Sequence, residues 1–273
     1  MREMRSGTAD AQSAFKLFEG LLDTIRALLQ VYDVTTYGQK HMEVRNLQIL
    51  EKIGAKIGGA LSRKELLEAV EQVEAMSRDD KTFSITVSAE EHGILKKAMR
   101  LQLRSVRKVP KLARIQLVVT LAASVESYIS DMFRIIFRTK PNTLKSKKST
   151  LKDEELVEAL RSGSAMDALI EARVRNIMYG SAVEWFEILN NDLGFSVHET
   201  YEIEVLFLVR NCLLHNSGNI SRELRDSKKG RYRSIGASIN ITERDITRYT
   251  EAAKTVASAI LSDYARKFCA SEP

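Results

Sequence analysis

The chain contains three prolines, Pro110, Pro141 and Pro273, spread over 273 residues. Proline removes a backbone donor and clashes with the preceding turn, so it is the strongest local stop for a helix. Glycine, the other stop, occurs 13 times. A β-sandwich or barrel needs a turn every ~8–12 residues, and this chain does not carry the residues to make them. Long helices remain. With 44 % hydrophobic and 29 % charged residues the chain has enough apolar side chains for a core, unlike a disordered one. At ~100–200 residues per domain this length makes one large domain or two small ones.

Periodicity places the helices. Phe15, Phe18, Leu22, Ile25 and Leu29 recur every three or four residues from Ala11 to about Tyr32, the mark of an amphipathic helix. Val44, Leu47, Leu50, Ile53 and Ile57 repeat the pattern from His41, and Gly58-Gly59 ends it. Ser62 with Glu65, and Ser88 with Glu91, are spaced as capping boxes, opening helices to Met76 and Arg107. Between them, residues 83–87 alternate apolar and polar, as one short strand or an extended connector. Pro110 suits the first turn of the longest helix, Lys111 to Phe137, because its missing N–H is not needed there. A basic loop over 139–149 leads to a short helix reaching Arg161. Gly180 bends or divides the next helix, which carries Met166 through Leu189. A helix from Glu199 to Asn216 stops at Asn216-Ser217-Gly218-Asn219, and Thr242 caps a last one to Phe268. The fold class is all-α.

Several classes are excluded. Cys212 and Cys269 make no disulfide framework and no CxxC zinc pair, and no metal or cofactor is expected. The apolar run from Leu117 ends at Ala123, short of the ~20 residues that span a bilayer. No membrane partner is expected. The opening MREMRSGTAD has no apolar segment behind its charges, so the expectation is a cytoplasmic protein with reduced thiols. No Gly-rich phosphate loop, HExxH or GxSxG occurs, which disfavours nucleotide hydrolysis, zinc proteolysis and serine esterase chemistry.

Charge is unevenly spread. Residues 1–91 hold 12 basic and 15 acidic side chains, and the remainder holds 30 and 21, a net of +9. Between Glu91 and Glu126 there is no acid, while Lys96, Arg100, Arg104, Arg107, Lys108 and Lys111 recur at helical spacing. A second acid-free run lies between Asp131 and Asp153. A third basic patch holds Arg222, Arg225, Lys228, Lys229, Arg231 and Arg233. Such stripes either face solvent or bind phosphates non-specifically.

The most informative segment is Arg210-Asn211-Cys212-Leu213-Leu214-His215, followed by Gly218. It resembles the Arg-x4-6-His signature of HEPN domains, in which a polar residue, here Asn211, commonly follows the arginine. Ala122 to Tyr128 looks like that family's opening core helix. Ser181-Ala182-Val183-Glu184-Trp185-Phe186 with Leu193-Gly194, and Gly236 to Asp245, look like parts of its RiboL-PSP-type subgroup. The resemblance covers about 88–273 and implies a HEPN-like antiparallel helical bundle there, with 1–87 as a helical extension. It further implies a metal-independent endoribonuclease acting as a homodimer, a toxin or phage-defence effector by analogy, whose partners are RNA and an antitoxin or regulatory protein. Some HEPN modules are non-catalytic.

The residue types fit the chemistry that the resemblance implies. Asn211 and His215 are i and i+4 and share a face. Arg210 is five residues from His215, about 140° around the helix. Arginine supplies a cationic fork for phosphate, asparagine an orienting amide, and histidine the side chain that ordinarily titrates near neutrality. Metal-free RNA cleavage needs a base for the 2′-OH, an acid for the leaving oxygen and a cation for the phosphorane charge. One motif supplies one imidazole, whereas two across a dimer axis supply both. The catalytic candidates are therefore Arg210, Asn211 and His215, with Glu126 as a supporting acid or a solvated, salt-bridged residue. Arg100, Arg104, Arg107, Lys108, Lys111, Arg222 and Arg225 are the RNA-binding candidates. His41, His92 and His198 read as surface or capping residues, and Cys212, Tyr128, Trp185 and Phe186 as core. Two further readings stay open. One is a non-catalytic module binding RNA, a nucleotide or a protein. The other is a structural dimerisation bundle whose acidic N-terminal helices shield the basic part.

Overall fold

The computed structural model describes residues 2–54, 108–144, 164–227 and 231–269, with side chains from residue 9 to 38 in the first stretch. The protein is all-α: the described regular elements are helical, apart from one antiparallel bridge between Asn219 and Ser238. In chain order they are α1 (Arg2–Gly54), α2 (Val109–Thr139), α3 (Ala165–Met178), α4 (Ala182–Glu187), α5 (Tyr201–His215), α6 (Arg222–Asp226) and α7 (Glu243–Tyr264). The helices expected at 62–76, 88–107 and 150–161, the stretch 83–87 and the boundary at 87/88 lie outside the described residues. The chain forms two compact units, one of Met1–Gln30 with Arg114–Pro273 and one of Val31–Ala113.

In the first unit α2 is the central helix. Twelve of its residues between Leu117 and Phe137 are buried, in steps of three and four. By length and composition α2 is also the one described helix apolar enough to cross a membrane. Its buried positions lie between Leu117 and Phe137, whereas Leu112 is exposed. Its polar atoms tie it to the surrounding helices. The buried Tyr128 hydroxyl donates to the Ala257 carbonyl of α7 at 3.0 Å, and burial pushes its phenol pKa well up. Arg134 grips both oxygens of Glu171 on α3, at 2.7 and 3.0 Å. Thr139 bonds the Tyr264 hydroxyl at 3.0 Å and reaches Asp10 of α1.

Two boundaries differ from expectation. α1 runs unbroken from Arg2 to Gly54 instead of stopping near Tyr32, because residues 33–40 hold one glycine and no proline. Its buried positions in the first unit are Ala14, Leu21 and Ile25, whereas Phe15 is 53 % exposed. The inward stripe thus shares Ile25 with the expected one but takes Ala14 and Leu21 in place of their larger neighbours Phe15 and Leu22. The stretch after Asn219 forms α6, a single turn capped by Ser221, whose hydroxyl accepts from the Leu224 N–H.

Gly180 does divide α3 from α4. A Cβ there would lie 2.2 Å from Glu184 Oε2. That carboxylate accepts the Ser181 N–H at 2.9 Å and completes the capping box of α4. Only glycine lets the glutamate fold back so closely.

Candidate functional site

α5 carries the Arg-Asn-His segment, and the local sequence explains where it starts and stops. Glu202 and Glu204 sit in its first turn, where acids complement the positive end of the helix. The Thr200 hydroxyl donates to Glu204 Oε1 at 2.7 Å. At the far end Ser217 and Gly218 both take left-handed backbone, φ 52° and 74°. The Gly218 N–H closes on the Cys212 carbonyl at 2.9 Å, satisfying an end carbonyl as a C-terminal cap should. The Ile239 N–H donates to the Gly218 carbonyl and the Ile220 N–H to the Ala237 carbonyl, both at 2.8 Å. The chain leaving His215 is thereby pinned to 236–239, ahead of α7.

An open cavity of about 630 Å³ lies along α5. From α5 it takes Tyr201, Glu204, Val205, Phe207, Leu208, Arg210 and Asn211, and from α2 it takes Glu126. Met178, Gly180 and the start of α4 through Trp185 form the opposite side, and Ser227 borders it after α6. Trp185 meets Phe207 edge to face, ring centres 5.0 Å apart at 83°, a favoured geometry for aromatic pairs.

The motif residues divide across this geometry. Arg210 and Asn211 line the cavity, and Arg210 Nη1 donates to Asn211 Oδ1 at 3.1 Å. Glu126 lies 3.9 Å from Arg210 Nη2, a loose ion pair. Arg210 Nε is buried with no partner among the described residues. The structure therefore brings together Arg210, Asn211 and the acid singled out on α2. His215 does not line the cavity: it is the last residue of α5, one turn further on, and is exposed. Cys212 between them is 3 % exposed and packs in the core.

The basic candidates separate too. Arg222 and Arg225 are exposed on α6, and Arg225 pairs with Asp226 at 2.7 Å. Lys108 and Lys111 are exposed in the second unit. Arg100, Arg104, Arg107, Lys228 and Lys229 lie outside the described residues. Arg231 does not belong to a solvent-facing basic patch. It forks onto Glu202 at 2.8 and 3.1 Å and approaches Asp245 at 3.7 Å.

Sequence reading missed most of the cavity wall. Trp185 is core, as expected, at 3 % exposure, yet its indole Nε1 has no hydrogen-bond partner among the described residues. Tyr201, Glu204, Leu208 and Asn211 recur at three or four residues, and that spacing was the available signal for one shared face.

No family model matches the chain, and no curated protein or solved structure does either.

Proposed function

We propose that the protein is a metal-independent endoribonuclease of HEPN type, active as a homodimer. The observation that carries this is the hydrogen-bonded Arg210–Asn211 pair on a cavity wall, one helical turn from an exposed His215 on the same helix. Arg210 stabilises charge on the scissile phosphate, Asn211 holds the guanidinium fork in place, and His215 moves the proton. Because His215 stands outside its own protomer's cavity, a single chain offers an incomplete set. A second copy facing it across a two-fold axis supplies another imidazole and another arginine in the shared cleft. The cytoplasm, with its RNA pool and regulatory partners, is the setting that this reading assigns.

The test is incubation of purified protein with mixed RNA in EDTA, over a dilution series. The expected result is cleavage that persists in the chelator and whose rate per chain falls on dilution as dimers separate. Cleavage that stops on chelation would contradict the metal-free mechanism.

A non-catalytic module binding RNA, a nucleotide or a protein partner is the second reading. It is favoured by the position of His215 outside the cavity. Under that reading the dilution series shows no cleavage at any concentration.

A further inference from the structure

The cavity itself carries chemistry that phosphate handling does not use. Its polar groups are of two kinds. Glu126 and Glu204 are acceptors, and the Glu204 oxygen engaged by Thr200 leaves its other oxygen uncommitted by that bond. The donor is the Arg210 guanidinium, whose Nη2 lies 3.9 Å from Glu126. Its Nε and Trp185 Nε1 are buried, without a partner among the described residues and without surface that a ligand could touch, so the outer edge of the guanidinium is what the cavity offers to acceptor atoms. Between them lie flat and apolar surfaces: the Trp185–Phe207 pair, Val205 and Leu208. At about 630 Å³ the space falls within the ~300–1,000 Å³ of small-molecule sites.

Two carboxylates make this a poor place for a phosphate. They make it a good place for a planar ring that presents N–H donors on one edge and acceptors on another. Unstacked RNA bases are read in this way, against aromatic side chains and by their polar edges. Guanine is the base with two adjacent donors, N1–H and N2–H₂, which match the two oxygens of one carboxylate. Its O6 and N7 are acceptors suited to an arginine fork. Uracil presents one N–H between two carbonyls, which a carboxylate repels.

We propose that this cavity takes one unstacked base of the RNA, and that the base is guanine. Glu126 and Glu204 accept from its donor edge, while the outer edge of the Arg210 guanidinium donates to its acceptors. Arg210 then joins base recognition to the phosphate beside it, since its fork has five donors. The inference rests on the RNA-cleaving reading for the identity of the ligand, but its readout is independent of cleavage.

Trp185 is the only tryptophan in the chain, so its fluorescence reports on this cavity alone. The full-length protein is titrated with GMP, UMP and ribose 5-phosphate, exciting at the red edge of indole absorption to avoid the nucleotide. Saturable quenching by GMP is expected at about tenfold lower concentration than by UMP, the size of one good bidentate pairing, with no response to ribose 5-phosphate. Glu126→Gln should reduce the GMP preference several-fold. Val183→Phe, on an exposed residue at the cavity's rim, should abolish quenching while the far-ultraviolet spectrum stays helical. Equal quenching by GMP and UMP, or none by either, overturns the proposal. RNA cleavage without GMP quenching removes the guanine pocket and leaves the nuclease. GMP-selective quenching without cleavage keeps the pocket and removes the nuclease.

Discussion

Arg210 and Arg231 are similarly shielded, at 28 % and 22 % side-chain exposure, and each has a carboxylate within reach, Glu126 of α2 for Arg210 and Glu202 of α5 for Arg231. Arg231 is committed. It forks onto Glu202 at 2.8 and 3.1 Å, with Asp245 3.7 Å away. Burial opposes its charge, but the Glu202 carboxylate outweighs that and its pKa is raised. Arg210 is uncommitted. Among the described residues its nearest carboxylate is 3.9 Å off, one hydrogen bond goes to the neighbouring Asn211, and its Nε has no partner. A shielded arginine with a full set of acceptors holds a fold together. One lacking them is held ready for acceptors that arrive from outside, and a phosphate or a base edge supplies them.

Substitutions can break this contrast. Arg210→Ala should lower RNA cleavage by about 10²–10³-fold, the usual cost of one transition-state donor, while the melting temperature stays within a few degrees. Arg210→Lys should restore little, because a point charge does not replace the fork. A large loss of stability would instead place Arg210 with Arg231 as a structural residue. The converse holds for Glu202→Ala. It strands a shielded guanidinium and should cost about 1.5–3 kcal/mol in urea unfolding, with cleavage per folded molecule unchanged.

Smaller effects locate the scaffold around the two arginines. Thr242 caps α7, its hydroxyl accepting the Asp245 N–H while Asp245 returns the bond, and Asp245 is also the second acid near Arg231. Thr242→Ala should cost about 1 kcal/mol, read as a shift of the urea midpoint. Weakest is the Arg134–Glu171 pair, where the Arg134 hydrogen bonds hold the Glu171 carboxyl pKa below its ordinary value. A depressed folded pKa means stability that is present above the unfolded value of ~4.3 and is lost as pH falls through the folded one. Glu171 is well exposed, so solvent screening keeps the effect below about 1 kcal/mol. Glu171→Gln should be slightly less stable than the parent at neutral pH, and the two should converge in acid.

Much of the helical order was legible because it depends on local rules. The scarcity of proline gave the all-α class, Thr242 gave a helix start, Gly180 a division, and Asn216 to Gly218 a stop. Even so, α1 continues through the expected gap after Tyr32, since polar residues alone do not end a helix. Phe15 faces out because size does not decide which stripe meets the core. The site was half legible. Arg210, Asn211 and Glu126 meet at one cavity, but Trp185 and the acceptor of Glu204 come from different turns and helices, which no one-dimensional period joins. Arg231 read as one charge in a basic patch because its partner Glu202 lies 29 residues away.

His215 is where the chemistry and the geometry of a single chain part most widely, so the proposed nuclease stands or falls on it. The decisive measurement is the rate of RNA cleavage in EDTA by His215→Ala beside the parent protein, both shown to be folded. The substitution should remove cleavage by at least about 10²-fold, the lower end of what a positioned acid or base contributes. Undiminished cleavage by His215→Ala would contradict the proposal.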